Sequence, residues 1–222
     1  MTSAHVDTFA RDRLPPPAWQ PEFLFEGPDL QFPAQLNCAA ELLDRRIAAG
    51  DGARPCIVAP GGLRWRYADL RERADRIAHV LVRELGLVPG NRVLLRAPNT
   101  PMMAACWFAV VRAGGIVVAT MPLLRAKELR DILAKAQVSH ALCDRRLADE
   151  LAAAAADAPV PLRTLLFATG APDSGAALDA AMARHDDPFT PVDTAADDTC
   201  LLAFTSGTTG VPKATMHFHR DV

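Results

Sequence analysis

The sequence predicts an α/β fold of largely parallel sheets flanked by helices. Short apolar runs with strand character recur at "RVLLR", "IVVA", "HALC" and "TLLF". Stretches with helically spaced apolar residues separate each run from the next. Strands that alternate with helices pair in parallel and are covered on both faces, which is why these runs are apolar throughout.

Residues 1–33 are rich in proline and aromatic residues and show no sustained period, so they read as an extended arm ahead of an α/β domain over 34–222. Asn37 is a helix N-cap, with Leu42, Leu43 and Ile47 expected on one face and Gly50 as a stop. "CIVA", the turn "PGG" and "LRWR" predict a small hairpin. "YADL" then opens a long helix, in which Leu70, Ala74, Ile77, Leu81 and Leu85 recur at helical spacing until Gly86.

After "RVLLR", Thr100 caps and Pro101 starts a helix running to about Ala113, stopped by Gly114. "IVVA" feeds a helix carrying Leu129, Ile132 and Leu133, and "HALC" feeds an alanine-rich helix around Leu147 and Leu151. Beyond "TLLF", residues 168–196 read as a surface excursion with a short helix over 178–184. "TCLLAF" (199–204) is a buried strand. His217 and His219 are two apart on an expected further strand, hence on one face.

Composition narrows the function. Half of the 222 residues are hydrophobic, 23% are charged and the formal net charge is −2, so no general basic field invites nucleic acid or an anionic membrane. The most apolar stretch, 104–121, is broken by Arg112, Gly114 and Gly115 and is too short to span a bilayer. No signal peptide is visible at the start. Five cysteines at scattered positions show no metal-ligand or redox spacing, so they read as buried thiols of a cytoplasmic protein.

The segment 205–213, "TSGTTGVPK", concentrates the chemistry. Gly207 and Gly210 permit unusual backbone angles and expose amide N–H groups. Thr205, Ser206, Thr208 and Thr209 add hydroxyl donors, and Lys213 supplies a mobile positive charge suited to phosphate. The usual nucleotide loop has Lys and Ser/Thr directly after its second glycine, but Pro212 stands where that glycine would be. A polar surface turn is the alternative reading; the strand before the segment and the "PK" within it favour a phosphate cradle.

Other residues read more plainly. His79 and His140 sit among apolar residues as core-edge histidines, and Trp107 and Phe108 fall inside an apolar helix. Arg125, Lys127 and Arg130 form a solvated helix face rather than a CoA phosphate site. A metal site on His217 and His219 lacks a third ligand nearby in sequence, so no metal ligand is assigned.

"FTSGTTGVPK" closely resembles the phosphate-binding signature of the adenylate-forming superfamily, which includes acyl- and aryl-CoA synthetases, luciferases and adenylation domains of peptide synthetases. "LRWRYADL", "GLVPGNRVLL" and "ELRDIL" are similar to further family segments. "PEFLFEGPDLQFPAQLNCAAELLD" with "PKATMHFHRDV" looks most like the 2-aminobenzoate and benzoate CoA ligases, although Ala214 stands where the family usually has glycine. The resemblance implies that a carboxylate, here an aromatic acid, attacks the α-phosphorus of ATP and that coenzyme A then displaces AMP. It implies ATP, Mg²⁺ and CoA as cofactors and co-substrates, and Thr205, Ser206, Gly207, Thr208, Thr209, Gly210 and Lys213 as the pyrophosphate clamp.

The family's acyl pocket, adenine and ribose segments and catalytic lysine are expected beyond Val222, so no catalytic residue is assigned here and the chain alone is expected to be inactive. Asp221 is expected to N-cap a helix after His219. A carrier-protein-loading adenylation domain and a non-catalytic phosphate-binding module are the competing readings, and a homodimer is one option for the assembly.

Overall fold

The computed structural model describes residues 2–20, 22, 24–168, 177–205 and 212–222. Among them are the strands β1 (Pro55–Val58), β2 (Arg64–Arg66), β3 (Arg92–Arg96), β4 (Ile116–Thr120), β5 (His140–Asp144), β6 (Arg163–Phe167), β7 (Thr199–Thr205) and β8 (Lys213–Phe218). The helices are α1 (Arg45–Ala48), α2 (Tyr67–His79), α3 (Pro101–Arg112), α4 (Ala126–Ala136), α5 (Ala148–Ala155) and α6 (Ala177–Met182). β1 and β2 form an antiparallel hairpin; the other six strands form one sheet in the order β6-β5-β3-β4-β7-β8.

Within that sheet β6, β5, β3, β4 and β7 are parallel. β8 runs antiparallel to β7, from Thr199 opposite Phe218 to Thr205 opposite Lys213. The stretch 206–212 dictates that reversal, because a parallel crossover needs about a dozen or more residues.

Strand alternation sorts the core into two layers. Val93 and Leu95 of β3, Val117 of β4, Leu142 of β5 and Cys200 of β7 meet α2, α3 and α6 on one face. Leu94, Ile116, Val118, Ala141 and Leu202 meet α4 and α5 on the other. The parallel strands are therefore covered on both sides, as their continuous apolar character predicts.

The helices start and stop where capping chemistry places them. Asn37 Oδ1 accepts from the N–H groups of Ala39 and Ala40, and Thr100 accepts from Met103 N ahead of Pro101. Gly50, Gly86 and Gly114 take left-handed angles at helix ends. Two helical turns, Ala40–Asp44 and Val80–Glu84, are wound as π-helix, whose i→i+5 bonding periodicity reading does not anticipate. Leu43 is buried there, but Leu42 is 42% exposed, which corrects the expectation that both share the inward face. Arg112, which interrupts the most apolar stretch, is buried and paired with Asp75 and Asp44.

The start of the chain lies on the domain. Val6 N and Asp7 N both donate to Pro89 O at 3.0 Å, and Asp7 pairs with the buried Arg92 at 2.5 Å. Ser3 Oγ and Ala4 N donate to Asp198. Gly90 makes the approach possible: its φ is +90°, and a Cβ there would fall 2.1 Å from the Asp7 carbonyl oxygen.

Candidate phosphate-binding site

The candidate site grows out of the β7–β8 hairpin. β7 lies next to β4, in the parallel part of the sheet, so its end points to the edge where all the parallel strands terminate. Open α/β sheets hold their ligands at that carboxyl edge. Thr205 and Lys213 are the last pair of the hairpin, directly opposite one another, and both are exposed. Among the described residues Lys213 has no carboxylate partner. Ser206, Gly207, Thr208, Thr209 and Gly210 lie outside the described residues, between these two ends.

The same edge is organised by a residue that motif reading passed over. Arg96, the last residue of β3, is 1% exposed and donates to the carbonyls of Leu147 at 3.3 Å, Met121 and Pro122 at 3.2 Å and Leu124 at 2.7 Å. Burial lowers its pKa below the ordinary arginine value. One guanidinium thus fixes the segments that leave β4 and β5. A cavity of about 280 Å³ opens against Arg96, Leu124 and Leu147, and another of about 660 Å³ is lined by Trp65, Asn99 and Thr100. The signal in the sequence was an arginine at the end of an otherwise apolar strand.

The remaining singled-out residues fall into place. His79 Nε2 meets Asp187 O at 3.1 Å and His140 Nε2 meets Leu85 O at 3.1 Å, so both are satisfied histidines at the core edge. Trp107 and Phe108 stand edge to face with each other and pack against the core. Arg125 and Arg130 are exposed and pair with Glu150 and Asp157, as a solvated face would.

His217 and His219 do not share a strand face. β8 ends at Phe218, and His219–Asp221 form a 3-10 turn. His217 is half-buried beside Thr215 Oγ1 at 3.0 Å, whereas His219 is 2% exposed and turned inward. Asp221 lies within that turn, and its carboxylate accepts from Phe218 N at 2.8 Å, tying the turn back onto the end of β8.

Inward, His219 meets two cysteines. Cys38 N donates to His219 Nδ1 at 3.2 Å, and Cys38 Sγ lies 3.3 Å from the same nitrogen. Cys200 of β7 completes the group, with its sulfur and the other two ligand atoms all within 4.8 Å of one another. A hydrogen bond from Cys200, with the His219 ring adding to it, lowers the Cys38 thiol to about 6, while the bond to Cys38 and burial push Cys200 up. Cysteine spacing along the chain gave no sign of this cluster, because residues 38, 200 and 219 meet only through tertiary folding.

The sequence matches the family described as AMP-binding enzyme over residues 44–222. It is 29% identical to the benzoate–CoA ligase of Thauera aromatica, over 88% of this chain and 36% of that protein. It is 37% identical to the salicyl-AMP ligase / salicyl-S-ArCP synthetase of Mycobacterium tuberculosis, over 84% and 33%. Its backbone superposes on the anthranilate CoA ligase AuaEII in complex with anthranoyl-AMP with a TM-score of 0.77 at 19% identity, over 86% and 36% of the two chains, a likeness of fold alone. ATP-bound MatB from Rhodopseudomonas palustris gives a TM-score of 0.70 at 32% identity, over 82% and 35%. The chain spans about a third of the length of these relatives.

Proposed function

Because the chain belongs to the AMP-binding enzymes, we propose that it is the amino-terminal part of an ATP-dependent aromatic acid–CoA ligase of the benzoate or 2-aminobenzoate type. The observation that carries this reading is the position of the 205–213 segment, which leaves the carboxyl end of a parallel strand with Thr205 and Lys213 exposed at its base. The benzoate–CoA ligase relative supports the aromatic acid.

In this reading a carboxylate oxygen attacks the α-phosphorus of ATP, the bond to the pyrophosphate oxygen breaks, and an acyl-adenylate forms. The CoA thiol then attacks the acyl carbon and AMP leaves. Charge accumulates on the departing pyrophosphate, so preorganised donors there stabilise the transition state more than the ground state. The hydroxyls of Thr205, Ser206, Thr208 and Thr209, the amides of Gly207 and Gly210 and the ammonium of Lys213 are the donors. Mg²⁺, when bound with the nucleotide, neutralises phosphate charge.

Acid-dependent exchange of labelled pyrophosphate into ATP, with benzoate and 2-aminobenzoate in the panel, tests the first step on the full-length protein. Release of ADP and phosphate in place of AMP and pyrophosphate would overturn the reading. The 37% identity to a salicyl-AMP ligase / salicyl-S-ArCP synthetase favours a second acceptor, a carrier protein. Supplying CoA or a phosphopantetheinylated carrier after adenylate formation separates the two. No helix among the described residues is long and apolar enough to cross a membrane, and free buried cysteines suit the cytoplasm. Gel filtration tests the homodimer.

A further inference from the structure

We propose that Cys38, Cys200 and His219 form a binding site for Zn²⁺, a metal clamp at the base of the phosphate-binding hairpin.

The geometry carries the proposal. In tetrahedral zinc sites Zn–S is about 2.3 Å and Zn–N about 2.0–2.1 Å, which puts the ligand atoms roughly 3.4–3.8 Å apart. Cys38 Sγ is 3.3 Å from His219 Nδ1, and all three ligand atoms lie within 4.8 Å of one another. Side-chain adjustments of at most about 1 Å therefore close the set on an ion. His219 Nδ1 accepts from Cys38 N, so this nitrogen bears no proton and has the lone pair a metal uses. A small turn of the ring moves that lone pair from the amide to the ion.

Charge and burial favour a divalent, thiophilic cation. The three residues are 3%, 0% and 2% exposed, and a net charge at such depth is costly. Both cysteines bind as thiolates, and two thiolates with one Zn²⁺ leave a neutral centre. Soft sulfur ligands also discriminate against Mg²⁺, so this ion is distinct from any that accompanies ATP. The fourth position is left to a small oxygen ligand.

The connectivity says what the ion would do. Cys38 sits in the helical segment just after the Asn37 cap, Cys200 is the second residue of β7, and His219 opens the turn after β8. The ion ties both strands of the hairpin to the body of the domain, five residues before Thr205. Substrate does not reach this depth, so the role is positional.

Co²⁺ is the probe, on the intact protein stripped of metal and kept reduced. We expect equimolar Co²⁺ to give thiolate-to-cobalt charge-transfer absorption with tetrahedral d–d bands, and stoichiometric Zn²⁺ to displace it. Cys38→Ser, Cys200→Ser and His219→Gln each lose the tetrahedral spectrum; Cys106→Ser, buried elsewhere in the same core, keeps it. Zn²⁺ raises the melting temperature of the parent and of Cys106→Ser only, a shift that a merely packed cluster would not show. Circular dichroism in metal-free buffer verifies that each variant folds, and any one folded ligand variant suffices. A spectrum that survives in a folded ligand variant overturns the site. So does the absence of cobalt binding, or mass spectrometry that finds a Cys38–Cys200 disulfide in protein that takes up no metal.

Discussion

Gly90→Ala should cost about 3–5 kcal/mol of stability, well above the common effect of a point change. The magnitude comes from three contributions at one place. Alanine at φ +90° carries a left-handed penalty of about 1–2 kcal/mol. Its Cβ would stand 2.1 Å from Asp7 O, below the 3.0 Å limit of real contacts, so the arm must retreat by roughly 1 Å to restore van der Waals separation. That retreat weakens the two bonds to Pro89 O, at about 1 kcal/mol each. It also loosens the Asp7–Arg92 pair, whose Asp7 side chain is 26% exposed; because solvent screens it, we add only about 1 kcal/mol. Urea unfolding followed by both circular dichroism and tryptophan fluorescence gives the number. A companion form lacking residues 1–9 has no Asp7 to collide with, so there the same substitution retains only the dihedral part. If Gly90→Ala stays within about 0.5 kcal/mol of the parent, or costs the same with and without the arm, the collision argument is wrong.

Lys213→Ala and Thr208→Ala in the full-length enzyme should each lower pyrophosphate exchange by about 10²–10³ without moving the melting temperature; parental exchange in both variants would refute the clamp. Arg96→Met should destabilise by about 2–4 kcal/mol by stranding carbonyls that now share one donor, and chemical denaturation measures it. Stability should also fall as pH drops below 6.5. Burial lowers His5 and His140 beneath that ordinary value, so the unfolded chain takes up protons first, and stability present above 6.5 is lost as pH falls toward the folded values. His140→Gln, with no ring to titrate, should show a shallower decline in pH-dependent melts.

Much of this fold is written locally. Leu70, Ala74, Ile77 and Leu81 are all buried as their spacing predicts, and Thr100–Pro101 and Gly114 bound α3 because capping and left-handed glycine are nearest-neighbour effects. Periodicity assumes one helical pitch, so the π-turns escaped it and Leu42 was assigned to the wrong side. The end of β8 escaped as well: a period of two continues past Phe218, while the turn held by Asp221 does not. The segment 205–213 stands out as a candidate phosphate cradle because its donors are contiguous in sequence. Arg96 and the Cys38–Cys200–His219 cluster do not, since each acquires its meaning from partners brought in by the sheet. His140, by contrast, needed only its apolar neighbours to be read correctly.

The seating of the arm sets an order of events on the ribosome. Ser3 and Ala4 bind Asp198, 195 and 194 residues further along, and Cys38 waits 181 residues for His219. A chain emerging amino end first therefore exposes Phe9 and Ala10 while the strands they cover are still inside the synthesis machinery. β3, β4 and β5 can assemble earlier, from contacts of short sequence separation. The hairpin and the first residues of the arm are then the closing step, and a nascent chain paused before Asp198 would hold an assembled central sheet with Asp7 already seated on Arg92 and Ser3 and Ala4 still loose.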